Sequence, residues 1–290
     1  MTATVSDFYY GAVTPVAAYL MACLGAALGL RCTTRSLRRR AGRNRRAGWL
    51  FLGAVCLGCG IWTMHFIAMI GFSVQGAPVG YDSTVTLLSL AVAIAVVAVG
   101  VFLVGYRGAG PVNLGVAGTV TGLGVAAMHY IGMGAMRTHG TVHYSVPAVV
   151  LSVLIAVVAA TAALWAAVSV HGLRSSLGAS LIMGVAVTGM HYTGMAGVSV
   201  HLTDQNAVTQ SSAGLLAFLL SMIAGPLVVL LIAAVIVMFD PDMMVGDSAW
   251  EGAAPASRTV PPAQWPDQST QWPEQSKQRP DQSTQSYTAW

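Results

Sequence analysis

Between positions 47 and 239 the chain carries only five charged side chains, Asp82, Arg107, Arg137, Arg174 and Asp204, and each falls in a gap between long apolar runs. Helices of a soluble domain need a polar face toward water, and a chain that is 55% hydrophobic and 8% charged cannot supply one to every run. A helix crossing the hydrocarbon of a bilayer needs about 20 apolar residues. Seven stretches meet that length, roughly 10–30, 48–72, 85–105, 114–136, 147–170, 177–200 and 213–239. The predicted fold class is an all-α integral membrane protein with seven transmembrane helices.

The basic residues set the expected orientation. Eight of the fourteen Lys and Arg lie in RCTTRSLRRRAGRNRR (31–46), and Arg107 and Arg174 follow spans three and five, whereas the loops after spans two, four and six carry only Arg137. By the positive-inside rule the odd-numbered loops are cytoplasmic, with the N-terminus outside and the C-terminus inside. A basic run beside a span suits anionic lipid headgroups, so membrane lipid and not nucleic acid is the expected partner. No basic n-region precedes the first apolar run, so an uncleaved first helix is expected.

From about 240 the composition turns to Pro, Gln, Ser and Thr, with the units WPDQSTQ, WPEQSKQ and RPDQSTQ at 265, 272 and 279. A proline in every unit excludes a continuous helix. Two domains are therefore expected, a membrane domain over 1–240 and a disordered cytoplasmic tail over 241–290 in which Trp265 and Trp272 are candidate docking anchors.

Within the spans one pattern recurs: MHFIAM at 64, MHYIGM at 128 and MHYTGM at 190, spaced by 64 and 62 residues. That period is two spans, so the bundle reads as three two-helix repeats plus a seventh helix, all three motifs running the same way through the membrane. Counting back from the expected span ends at about 1.5 Å per residue puts the histidines roughly 10 to 15 Å below the outer end of each helix, level with one another.

Ionisable residues in spans usually mark function. Residues four apart share a helix face, so His65 with Met69, His129 with Met133, and His191 with Met195 can turn imidazole and thioether toward one ion. Met64, Met128 and Met190 are turned about 100° away and are candidate flanking ligands. Gly132, Gly194 and Ala68 allow close helix approach. Imidazole with soft thioether favours copper; the spans lack the carboxylates that magnesium, calcium or di-iron sites use, and zinc rarely takes methionine. Tyr130 and Tyr192 are candidate hydrogen-bonding residues around a ligand imidazole or bound gas, which Phe66 cannot match. Cys56 and Cys59 of CLGC read as small packing residues, and Cys23 and Cys32 likewise stand in or beside the first span, which argues against a disulfide-stapled ectodomain.

The three motifs, their spacing and the alternation of spans over residues 10–240 resemble the bacterial MHYT sensor domain. That resemblance implies copper held near the outer face by His65, His129 and His191 with the six methionines named above and Tyr130 and Tyr192, Met136 being a pocket candidate. It also implies sensing of a diatomic gas, oxygen, carbon monoxide or nitric oxide. Family members often carry an output module for cyclic diguanylate or a histidine kinase; the tail here is too short and polar to fold as either, so no enzyme activity is expected and output requires a separate cytosolic or membrane partner. Two other classes compete. Histidines from different helices can ligate haem in an electron-transfer protein, and Met with His can line a copper transporter or channel. Retinal chemistry is excluded, since the single lysine, Lys277, lies in the tail.

Overall fold

In the computed structural model the described residues are 2–37, 43–75, 79–138, 140–170, 172–202 and 212–239. The tail, His139, His171 and Asp204 lie outside them. Among the described residues seven helices form: α1 (Val13–Ser36), α2 (Arg43–Ile70), α3 (Ser83–Arg107), α4 (Pro111–Gly134), α5 (Val146–Ser169), α6 (Leu173–Met195) and α7 (Ser212–Met238). Each matches an expected span, with ends shifted by a few residues. The chemistry at those ends is visible in the sequence. Asp82 caps α3 by accepting from the backbone N–H of Thr84 and Val85 at 3.0 and 3.1 Å. Pro111 and Pro147 stand in the first turns of α4 and α5, where a missing N–H costs nothing. Gly108, at φ 83°, ends α3.

Six of the helices are long and apolar enough to cross a membrane, which makes this a multi-pass membrane protein. The exception is α6, LRSSLGASLIMGVAVTGMHYTGM, which spans 23 residues but is diluted by Arg174, Ser175, Ser176, Ser180, Thr188, His191 and Thr193.

Helix packing follows chain order. Each of α1 to α6 lies against the next, and α6 returns to α1, so the six form a closed ring, while α7 packs on α2 and α1. Small residues make this possible: a Cβ on Gly25 of α1 would stand 2.6 Å from the Cα of Gly60 on α2, and one on Gly122 of α4 would stand 2.4 Å from the Cα of Val157 on α5. In hydrocarbon such backbone contact replaces the hydrophobic drive that binds helices in water. The motif helices α2, α4 and α6 occupy alternate places in the ring.

The fold is not purely helical. Among the described residues seven short strands gather at one end: β1 (Thr2–Ala3), β2 (Val5–Ser6), β3 (Ser73–Val74), β4 (Gly80–Tyr81), β5 (Met136–Arg137), β6 (Gly140–Tyr144) and β7 (Val198–Leu202). Antiparallel pairs join β2 to β3, β4 to β5 and β6 to β7, with β1 added to β7. Each pair joins the strand before an odd helix to the strand after the following motif helix, so the repeating unit is strand, helix, helix, strand. Backbone leaving a helix must satisfy its N–H and C=O groups, and pairing within each repeat does so. These strands form a cap over the motif end of the bundle.

The cap also corrects the expected depth. His65 and His129 lie five residues before the ends of α2 and α4, and His191 four before the end of α6, so the rings sit only about 6 to 8 Å below the helix ends at 1.5 Å per residue. The expected sixth span, 177–200, ran into β7, whose apolar valines look alike in a hydropathy window.

Candidate metal centre

The three motif histidines meet on the axis of the ring. Nδ1 of His65 lies 3.1 Å from Nδ1 of His191 and 3.2 Å from Nδ1 of His129, and the last two are 3.4 Å apart. All three residues are 1% exposed. Their rings are mutually steep, with centroids 4.9, 5.0 and 5.1 Å apart and interplanar angles of 78°, 75° and 90°. The point equidistant from the three nitrogens lies about 1.9 Å from each, close to the about 2.0–2.1 Å of a zinc–imidazole bond.

Hydrogen bonding among the rings does not account for this cluster. A neutral imidazole carries one N–H and one bare nitrogen, so each Nδ1 is either a donor or an acceptor. With three such atoms in mutual contact at least two are of the same kind, and those two repel. A cation between three bare nitrogens removes the conflict. In that state every Nε2 carries its proton, yet Nε2 of His65 and of His129 are buried with no partner among the described residues. Instead they lie against the glycines of the next motif: a Cβ on Gly132 would stand 2.6 Å from Nε2 of His65, and one on Gly194 2.8 Å from Nε2 of His129. Glycine in MHYIGM and MHYTGM is thus the seat of the preceding repeat's imidazole.

The six methionines divide. Met69, Met133 and Met195, one turn beyond the histidines toward the cap, join a single buried cluster with Met136, Phe72, Val74, Val79, Val198 and Val200. The cap strands roof it. Met64 packs elsewhere, with Ala18, Ala22 and Ala68, and Met128 and Met190 belong to the main apolar core. The structure therefore brings the later methionine of each motif to a common layer over the imidazoles and sends the earlier ones to other surroundings.

The tyrosines diverge too. The hydroxyl of Tyr130 pairs with Ser152 Oγ on α5 at 2.7 Å, while its ring stands edge to face with that of His129 at 4.9 Å. Tyr192 stacks on Phe8 at 5.6 Å, and its hydroxyl is buried without a partner among the described residues. Phe66 packs on Trp62 at 4.5 Å. Cys32, Cys56 and Cys59 are buried with Leu230, Ala233 and Val237 of α7, in keeping with a packing role.

Below the triad, away from the cap, lies an apolar cavity of about 50 Å³. Its walls include Ile61, Val125 and Val187, one turn before the three histidines, and Leu57, Thr121 and Met183 one turn further. Sequence periodicity held this information, because all six stand four or eight residues before a motif histidine. The centre is layered along the ring axis as thioethers, imidazoles, branched aliphatics and void.

The pattern of a known family, the bacterial signalling protein N-terminal repeat MHYT, matches residues 58–117 and 122–180. The chain thus carries two MHYT repeats. Each match holds one motif with the helix that follows it, and the third motif, at 190–195, lies beyond both. The chain is also 44% identical over 153 residues to the bifunctional diguanylate cyclase/cyclic di-GMP phosphodiesterase MucR of Pseudomonas aeruginosa, covering 51% of this chain and 22% of MucR. It is 39% identical over 189 residues to the cyclic di-GMP phosphodiesterase NbdA of the same organism, covering 62% of this chain and 23% of NbdA. Signaling protein YkoW of Bacillus subtilis is 29% identical over 189 residues, 63% of this chain and 23% of YkoW. The matches thus span about a fifth of the length of these curated relatives. No solved structure matches the chain.

Proposed function

We propose that this MHYT protein is a membrane sensor that holds copper on its ring axis through His65, His129 and His191, beneath the thioethers of Met69, Met133 and Met195. The observation that carries the reading is the convergence of three buried Nδ1 atoms within 3.4 Å, one from each repeat. Imidazole nitrogen with soft sulfur one turn away favours copper over oxygen-seeking cations. Copper in such a site supplies an electron-rich centre for a small diatomic ligand or a change of redox state. The apolar void below the triad supports the gas reading, since an apolar cavity stays free of water and accepts small apolar guests. All seven helices cross the membrane in this reading, with the cap on the outer side and the basic 31–46 segment inside. Signal output in this reading reaches a cytosolic or membrane partner concerned with cyclic di-GMP, as the activities named for MucR and NbdA suggest.

The test is metal analysis of the full chain purified in detergent. Wild type retains copper through chelator washing, and His129→Ala or His191→Ala releases it. Retention in both variants overturns the reading. A Soret band lost with the same variants favours the haem alternative, and copper uptake into proteoliposomes the transport alternative.

A further inference from the structure

Two histidines take no part in this centre yet stand at the same end of the molecule. In the cap, β6 and β7 pair with Thr141 opposite His201 and His143 opposite Ser199. Alternate residues of a strand face opposite sides, and Val142, Val198 and Val200 face the thioether cluster. His143 and His201 therefore project from the other face as diagonal neighbours, and both are exposed. Their rings lie with centroids 4.9 Å apart and planes at 85°. In centroid spacing and interplanar angle the pair matches those of the buried triad, where centroids lie 4.9 to 5.1 Å apart at 75° to 90°.

We propose that His143 and His201 form a second, solvent-facing copper site on the cap, which collects the ion for the buried centre. Two imidazoles presented at the spacing of a three-imidazole cluster can share one ion, and imidazole suits copper above most divalent metals. The flanking side chains on this face, Thr141 and Ser199, are hydroxylic, and the methionines lie on the opposite side of the sheet. With nitrogen, hydroxyl and water as the available donors, the site takes Cu(II) and exchanges it readily. The site itself stands independently of the buried centre; its collecting role rests on the function proposed above.

Full-length protein in detergent is titrated with Cu(II) at pH 7.4 and followed by electron paramagnetic resonance, with copper counted before and after a brief EDTA wash. Wild type is expected to bind one EDTA-labile equivalent, and His143→Ala/His201→Ala to bind that equivalent at least tenfold more weakly. In the same variant the wash-resistant copper is expected to fill at least tenfold more slowly at limiting copper and to reach the same final amount. His129→Ala keeps the labile equivalent. Identical titrations of wild type and the double variant overturn the site, and identical filling rates overturn its collecting role. If no wash-resistant copper appears in wild type while the labile equivalent is still lost with the pair, the buried reading fails and the surface site remains.

Discussion

Alanine at Gly132 offers a severe test of the buried centre, because it changes no candidate ligand. The added Cβ stands 2.6 Å from Nε2 and 3.1 Å from Cδ2 of His65, about 0.8 Å short of ordinary contact at Nε2. The imidazole has little room to yield, being 1% exposed and held at its edge by Phe66 at 4.7 Å. Metal–ligand distances tolerate about 0.2 Å, so a shift of several tenths of an ångström withdraws His65 from the common point. Overpacking of this kind costs about 1–3 kcal/mol, and displacing one ligand is expected to weaken metal binding roughly 10–100-fold. Gly134, two residues on, has nothing within 4 Å of its hypothetical Cβ and serves as the control. The assay is competitive copper binding against a chelator of known affinity, with thermal unfolding in parallel. Gly132→Ala loses affinity and Gly134→Ala does not. Equal affinity in the two variants would refute the seating of His65 on Gly132 as a condition of the site.

Ala163 lines the cavity from α5, away from the triad. Ala163→Leu is expected to leave copper content unchanged and to slow carbon monoxide uptake at least tenfold by flash infrared spectroscopy; an unchanged rate removes the cavity from the gas route. At the cap, Arg137 donates to Asp82 at 2.9 Å and holds its carboxyl below the usual carboxylate range, helped by the N–H groups of α3. A depressed folded pKa contributes stability above the unfolded value near 3.9 that is lost as pH falls through the folded one. Arg137→Leu raises that folded pKa, so acid unfolding moves to higher pH while stability at pH 7 changes little for so exposed a pair; a superimposable acid limb counts against the latch.

The positions of the helices were legible because apolar runs in a membrane chain have few alternatives to spanning. That His65, His129 and His191 stand level was legible as well, since a 64- and 62-residue period in two-helix units leaves three like-facing motifs at one depth, but whether they build one site or several was not, because helix rotation about its axis leaves no mark on the period. Helix geometry also paired each histidine with the methionine four residues on; where the preceding methionines go was not legible, because a turn of about 100° per residue does not say which neighbour occupies that side. Neighbours decided it: Met64 meets α1 while Met69 meets the cap. The strands were missed although GTVHY and VSVHL alternate as strands do, because beside twenty-residue apolar runs a five-residue alternation carries little weight. The hydrogen bond of Tyr130 to Ser152 was not legible, since Ser152 is distant along the chain and has no motif of its own.

The departure of the first repeat, Phe66 in place of tyrosine, has a structural compensation. Ser152, which receives the Tyr130 hydroxyl, stands 63 residues after Ser89, so the two serines occupy equivalent places on α5 and α3. Each donates to the carbonyl three residues back, Ser89 to Thr86 at 2.6 Å and Ser152 to Val149 at 2.8 Å. Ser89 is partnered not by residue 66 but by Trp62 one turn earlier, whose Nε1 donates to it at 2.9 Å; the equivalent of Trp62 in the second repeat is Ala126. The two repeats thus place the donor on neighbouring turns of the motif helix. Phe66→Tyr in the wild-type background adds a hydroxyl whose natural acceptor is taken, at a cost of about 1–3 kcal/mol for a buried unpaired group. In a Trp62→Phe background Ser89 is free, and the same change gains a hydrogen bond worth about 0.5–1.5 kcal/mol. A double-mutant cycle by thermal unfolding should therefore show coupling well beyond the about 0.3–0.5 kcal/mol expected of independent sites. Additivity would mean that residue 66 does not face Ser89, and the equivalence of the two repeats would end at the backbone.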